Sequence, residues 1–201
     1  FRHSDYTIRE YIRNFIMSKL ETNTIDTVSG TTNLVIGSTN TSTITMPNGK
    51  MTGQNFPAFR ANNSSDQTGV SDSTWTEVDY ANEDFDTNND FASNQYTISI
   101  AGKYVFMASA RILSASATNY LKRGFLRILR TRSSTDTSVS FGGVDWRDNP
   151  GYVITVKTTS VLECQVGDVY KVQIFGDVTS GNVTIASNSD NSLFTAYRIG
   201  A

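Results

Sequence analysis

The sequence predicts an all-β protein: a jelly-roll β sandwich of about ten strands, preceded by a short β-rich stalk and an N-terminal helix. Three observations carry that expectation. The 201 residues are 38% hydrophobic and 11% aromatic, enough for one sizeable core, and only 3 prolines interrupt it. Beyond Phe56, short runs of valine, isoleucine, threonine and aromatic residues alternate with Gly, Asn, Asp and Ser clusters. Finally, the run 102–110 is apolar or small on both faces. Tyr104, Phe106, Ala108 and Ala110 point one way, and Val105, Met107 and Ser109 the other. A strand apolar on both sides is covered on both sides, so one face belongs to the sandwich and the other suits a second copy of the chain.

Residues 1–21 read as a helical anchor. Ile8, Ile12, Phe15, Ile16 and Leu20 recur at helical spacing behind a cap at Ser4 and Asp5. So short a helix is marginal alone in water, and its partner is its own domain, further copies or a larger assembly. Within it, Met17-Ser18-Lys19-Leu20 has the form of a translation start and Phe1 does not. The chain is then either a trimmed form of something longer or a frame extended upstream of Met17. Residues 22–55 read as a stalk. The segments 24–30, 33–37 and 42–49 are thin strands with too few apolar side chains for a core, of the kind that identical chains stabilise by stacking. An ordered linker lying over the head is the alternative.

The head spans 56–201. Its expected strands cover 57–61, 74–80, 95–100, 102–112, 122–131, 137–144, 153–164, 168–175, 182–187 and 193–199. Formal net charge is -2, which creates no field for nucleic acid or an anionic membrane. No apolar run approaches a membrane span and no secretory h-region occurs. The single cysteine, Cys164, rules out an intrachain disulfide. Sequons at Asn40, Asn62, Asn63 and Asn182 are expected by chance in a chain this rich in Asn and Thr.

A set of ordered motifs runs through the head: Pro57-Ala58-Phe59-Arg60-Ala61, Trp75-Thr76-Glu77-Val78 and Asn82-Glu83-Asp84-Phe85-Asp86. Phe91, Tyr96 and Ala101-Gly102-Lys103-Tyr104-Val105-Phe106 follow, then Leu162 with Gly167-Asp168-Val169-Tyr170-Lys171-Val172, and finally Leu193-Phe194-Thr195-Ala196-Tyr197-Arg198-Ile199-Gly200. In order and spacing, residues 57–200 resemble the globular domain of complement component 1q and tumour necrosis factor, in the version common among bacteriophage fibre proteins. The start at Met17 resembles the opening of such phage proteins too. The resemblance implies a ten-stranded jelly roll assembled as a tight homotrimer. Tyr104, Val105, Phe106, Met107, Phe125, Arg127, Phe194 and Arg198 would then belong to its core or subunit interface. Two positions depart from the family: Ala196 stands where glycine is usual, and Arg198 charges a terminal strand normally apolar, so that it lines the trimer axis or pairs with an acid.

Catalytic chemistry finds little here. His3 is the only histidine, which removes Ser-His-Asp and Cys-His arrangements from the head. Cys164 at a strand end suits a structural thiol, no phosphate loop occurs, and no cofactor is expected. Asp84, Asp86, Asn88 and Asp90 repeat every second residue like the opening of a calcium loop, but Asn89 replaces the turn glycine and Gln95 the bidentate glutamate. A solvated acidic loop is the simpler expectation. The basic run 122–132 places Arg123 and Arg127 on one face with Phe125 and Leu129, and Arg130 and Arg132 opposite. With Lys122, these cations suit an acidic loop of a neighbouring subunit or an anionic surface glycan, and the pairing between subunits is the simpler expectation. Trp75 is assigned to the core. Trp146, flanked by Asp145 and Arg147 and followed by Tyr152, suits a saccharide or receptor contact, with packing at a strand end as the alternative.

Together these features predict a non-enzymatic phage virion protein on the particle exterior: a short trimeric fibre or spike. Its head would bind a host-surface glycan or receptor, and its N-terminal helix and stalk would bind other virion proteins. A capsid decoration or head fibre docking on the shell through its N-terminus is the first alternative, and the short stalk suits it. A secreted complement-like binding module is the second.

Overall fold

The computed structural model describes residues 56–115, 120–187 and 190–200. The expected helix and stalk, with Ile8, Ile12, Phe15, Ile16 and Leu20, lie outside the described residues. The described strands form two antiparallel sheets. The first contains β1 (Ala58–Asn62), β2 (Gln67–Val70), β4 (Asn82–Asp86), β7 (Gly102–Ser114), β10 (Val153–Cys164), β12 (Val183–Ile185) and β13 (Leu193–Gly200). The second contains β3 (Thr76–Glu77), β5 (Phe91–Ala92), β6 (Gln95–Thr97), β8 (Leu121–Arg132), β9 (Thr135–Asp145) and β11 (Val169–Val178).

The first sheet is built on β7. Its whole length pairs with β10, from Gly102↔Cys164 to Leu113↔Val153. Its other edge takes β13 and then β12, and β13 carries the sheet on to β1 and β4. Alternation along β7 sends Tyr104, Phe106, Ala108, Ala110 and Ile112 inward, all nearly or fully buried. They meet Leu126 and Ile128 of β8, Tyr170, Val172 and Ile174 of β11, and Phe194 and Ala196 of β13 in one core. Ring stacking fixes much of it: Phe106 lies on Tyr170 at 4.2 Å, and Phe59 lies on Tyr96 at 4.3 Å. Gly102 starts β7 at φ +148°, where a Cβ would stand 2.3 Å from the Gly200 carbonyl oxygen, so only glycine lets β13 pass there.

The expectation of ten strands missed three: β2, β4 and β5 are also strands, and the segment at 74–80 contracts to β3. The acidic segment expected as a solvated loop contains β4, whose residues are mostly exposed. β4 is an edge strand on β1, and charge is how such an edge avoids further pairing. The β5–β6 and β8–β9 hairpins turn on Ser93-Asn94 and Ser133-Ser134, all at positive φ, in two-residue loops lacking the usual glycine.

Candidate functional site

The outward face of the first sheet carries an apolar band across four strands. Val105 of β7 lies between Val161 of β10 and Tyr197 of β13, and Tyr197 in turn faces Ala58 of β1. Val161 is 60% exposed and Tyr197 41%, while Val105 and Met107 are half-buried. Ile199 extends the band, and Phe85 is exposed opposite Arg60. Of the residues expected at core or interface, Tyr104, Phe106 and Phe194 are core residues of their own chain, whereas Val105 and Met107 face outward. Arg198 is half-buried and donates from Nε to the Ala101 carbonyl at 3.1 Å. Its charge lowers the affinity of Tyr104 for its phenolic proton, but burial dominates and pushes that hydroxyl up to about 12.

The outward face of the second sheet is aromatic. Phe125 of β8 pairs with Phe175 of β11 and with Gly143 of β9, and Arg127 pairs with Gln173 and Phe141. The rings of Phe141, Phe125 and Phe175 follow one another at 5.4 and 5.8 Å, tilted by 33° and 34°. A Cβ at Gly143 would meet Phe125 Cδ1 at 2.2 Å, so glycine lets that ring lie down over β9. Trp75, expected in the core, is half-exposed instead: its ring sits 5.6 Å from Phe175, with the Arg127 guanidinium 4.1 Å from its centroid. Gln173 Oε1 accepts from Arg127 Nε and Nη2 at 3.0 and 2.6 Å.

The basic run, expected to face a neighbouring subunit, mostly finds partners within its own chain. Lys122 and Arg123 share Asp177, each at 2.7 Å, and Arg132 pairs with Asp168 at 2.5 Å. Burial would raise the Asp168 carboxyl, but donation from Arg132 and the Gln165 amide outweighs it and holds the group below the usual carboxylate range. The same opposition, with Lys122 and Arg123 as donors, holds Asp177 down. Leu129 keeps the expected face, since the β8–β11 register runs unbroken from Arg123 to Thr131 and sets it opposite Lys171, and it is buried there; the β8–β9 shift beside it is a bulge on β9.

The 145–152 loop divides by side. Asp145 lies outward on β9 opposite Arg123 and pairs with Arg147 at 2.7 Å. Trp146 is half-buried against the core, its ring covering Gly151, while Tyr152 is exposed. The expected calcium ligands are spent on local bonds. Asp84 pairs with Arg60 and accepts from Asn62, Asp86 accepts from the amides of Asn88 and Phe91, and Asp90 accepts from Ser99. Among the described residues no group of three or more His, Cys, Asp or Glu is gathered to hold a metal. Cys164 is buried beside the Tyr170 hydroxyl at 3.2 Å, and burial pushes its thiol up, away from the reactive thiolate. Asn62 and Asn63 are each 3% exposed, so those sequons offer no accessible amide.

Alternation made the core legible in the sequence. It did not reveal the aromatic face, because Phe141 and Phe175 share a surface only once the β9–β8–β11 register is known.

No protein-family model matches the chain, and no curated protein matches it. Solved structures do. The crystal structure of murine APRIL at pH 8.5 matches with a TM-score of 0.54 at 10% identity, over 72% of this chain and 100% of that one. The same protein at pH 5.0 gives 0.54 at 9% identity over the same shares, 72% and 100%. The globular domain of zebrafish complement 1qA gives 0.49 at 18% identity, over 71% of this chain and 97% of that one. The described residues therefore share the fold of murine APRIL, a jelly-roll sandwich of two antiparallel sheets.

Proposed function

We propose that this chain is a non-enzymatic structural protein of a bacteriophage virion. It is a short homotrimeric fibre or spike on the particle exterior, and its head adheres to a host-surface glycan or receptor. The observation that carries the trimer is the band Val161–Val105–Tyr197–Ala58: contiguous apolar surface on a sheet face is what a second copy covers. The jelly-roll fold supports a binding module, and the order of motifs along 57–200 supports its phage form. The N-terminal helix and stalk attach it to other virion proteins. Each head binds weakly, and an array of trimers multiplies the affinity through effective concentration. The 145–152 loop, with Asp145, Arg147 and Tyr152 exposed around Trp146, is one adhesive contact.

Mass photometry of the purified chain tests the assembly: a species of three chains is expected, and a monomer at micromolar concentration overturns it. Antibody against the head, gold-labelled on intact particles, tests the location. Label on tail or baseplate supports the fibre, label spread over the shell supports the capsid-decoration alternative, and no label removes both.

A further inference from the structure

The aromatic face of the second sheet has no role in the trimer proposed above, and its composition is specific. Its outward residues include Trp75, Phe125, Phe141 and Phe175, with Arg123, Arg127 and Gln173 among them, and Leu129 and Lys171 continue the same face. The rings are exposed to differing degrees, with Phe141 at 60%. A soluble domain that leaves such a patch open has something to set against it.

We infer that this face is a saccharide platform that binds a carboxylated glycan. Three features select that occupant. The rings lie side by side on the sheet rather than around a pocket, which suits the flat C–H face of a pyranose. Beside the rings stand planar guanidinium and amide groups, those of Arg123, Arg127 and Gln173, which bond vicinal hydroxyls and carboxylates in pairs. Those groups are also preorganised: Gln173 and Trp75 hold Arg127, and Asp177 holds Arg123, whose guanidinium lies 5.4 Å from the Phe175 ring centroid.

The pairing of the charges decides between neutral and acidic sugar. The cations on and around the face are Lys122, Arg123, Arg127, Arg147 and Lys171; the carboxylates are Glu77, Asp136, Asp145, Asp148 and Asp177, so their number balances and their pairing decides. Asp177 answers two cations, and Arg127 is held by an uncharged amide and meets no carboxylate within ion-pair distance among the described residues. That guanidinium is the seat for the ligand's carboxylate, and the rings flanking it receive the sugar. The face continues through Asp145 into the 145–152 loop, so loop and platform form one surface.

This inference rests on the adhesive-head proposal, and its test separates the two. The full chain, with Phe141→Ala, Arg127→Gln, Trp75→Ala and Trp146→Ala variants, is passed over immobilised polygalacturonate, alginate, polysialic acid and dextran. Capture is expected on at least one of the three carboxylated polymers in preference to dextran. Phe141→Ala and Arg127→Gln should each weaken it about tenfold, the scale of one stacking or charged contact. Phe141 projects from the sheet, so its variant is expected to keep the trimer and the unfolding midpoint. Failure to bind any of the three polymers overturns the platform, as does equal capture by dextran. Capture unchanged in the platform variants but lost in Trp146→Ala removes the platform and leaves the adhesive head standing. If Phe141→Ala or Trp75→Ala dissociates the trimer, the face is a contact between copies and the inference fails.

Discussion

Asp168 shows what single side chains do here. It is 2% exposed, and Arg132 donates to both its oxygens, at 2.6 and 2.5 Å, while the Gln165 amide donates at 2.9 Å. One carboxylate thereby ties the β10–β11 turn to the end of β8. Asp168→Asn keeps the shape and loses the charge, so denaturant unfolding is expected to show a loss of about 1–3 kcal/mol at unchanged slope. A loss below about 0.5 kcal/mol, the scale of an ordinary surface substitution, would show that solvent already screens the pair. Gly102→Ala tests backbone rather than charge. With φ at +148° and Gly200 O in the way, it is expected to cost at least 1 kcal/mol or so by the same measurement. The Gly167-Asp168 pair was legible in the sequence as part of a motif. Its partner was not, because Arg132 lies 36 residues away and only the β8–β11 register brings it there.

Among the elements, β7 and its neighbours were the most legible. Long strands whose inward residues alternate leave their period in the sequence, and β7, β8, β10 and β11 all do. The two-residue β5 and the exposed β4 leave none: one is too short to show a period, and the other borrows its order from β1. Trp75 was misplaced for a related reason. A large apolar residue implies burial by type alone, and its half-exposed place depends on β3 lying at the outer edge of β11. The double-sided apolar pattern of 102–110 did identify the strand whose second face stays open. Substitution on that face separates assembly from folding. Val161→Glu and Val105→Glu place a charge in the band while leaving the core untouched, and both are expected to shift mass photometry from three chains to one. Circular dichroism should keep its β signature. A variant that stays trimeric would put the contact between copies elsewhere.

For the whole molecule, acid response follows from which carboxyls the fold favours charged and which it disfavours. Asp168 and Asp177 are held below the carboxylate range by their cation partners even though burial pulls the other way. Their stabilisation is therefore complete above the unfolded value, near 3.9, and is lost as pH falls through their lower folded values. Glu77 and Asp90 run opposite, since burial raises both. The folded chain takes up their protons before the unfolded chain does, so mild acidification from neutrality relieves a cost instead of adding one. The two pairs act in different windows. Melting temperature measured from pH 7 downward is expected to stay level or rise slightly toward pH 5, then fall steeply below about pH 4. Asp168→Asn should make the acid limb shallower, with Asp177 carrying the remainder, while Glu77→Gln should reduce the gentle rise to what Asp90 supplies and leave that limb in place. An acid limb equally steep in Asp168→Asn would assign it to other lowered carboxyls, Asp177 first among them.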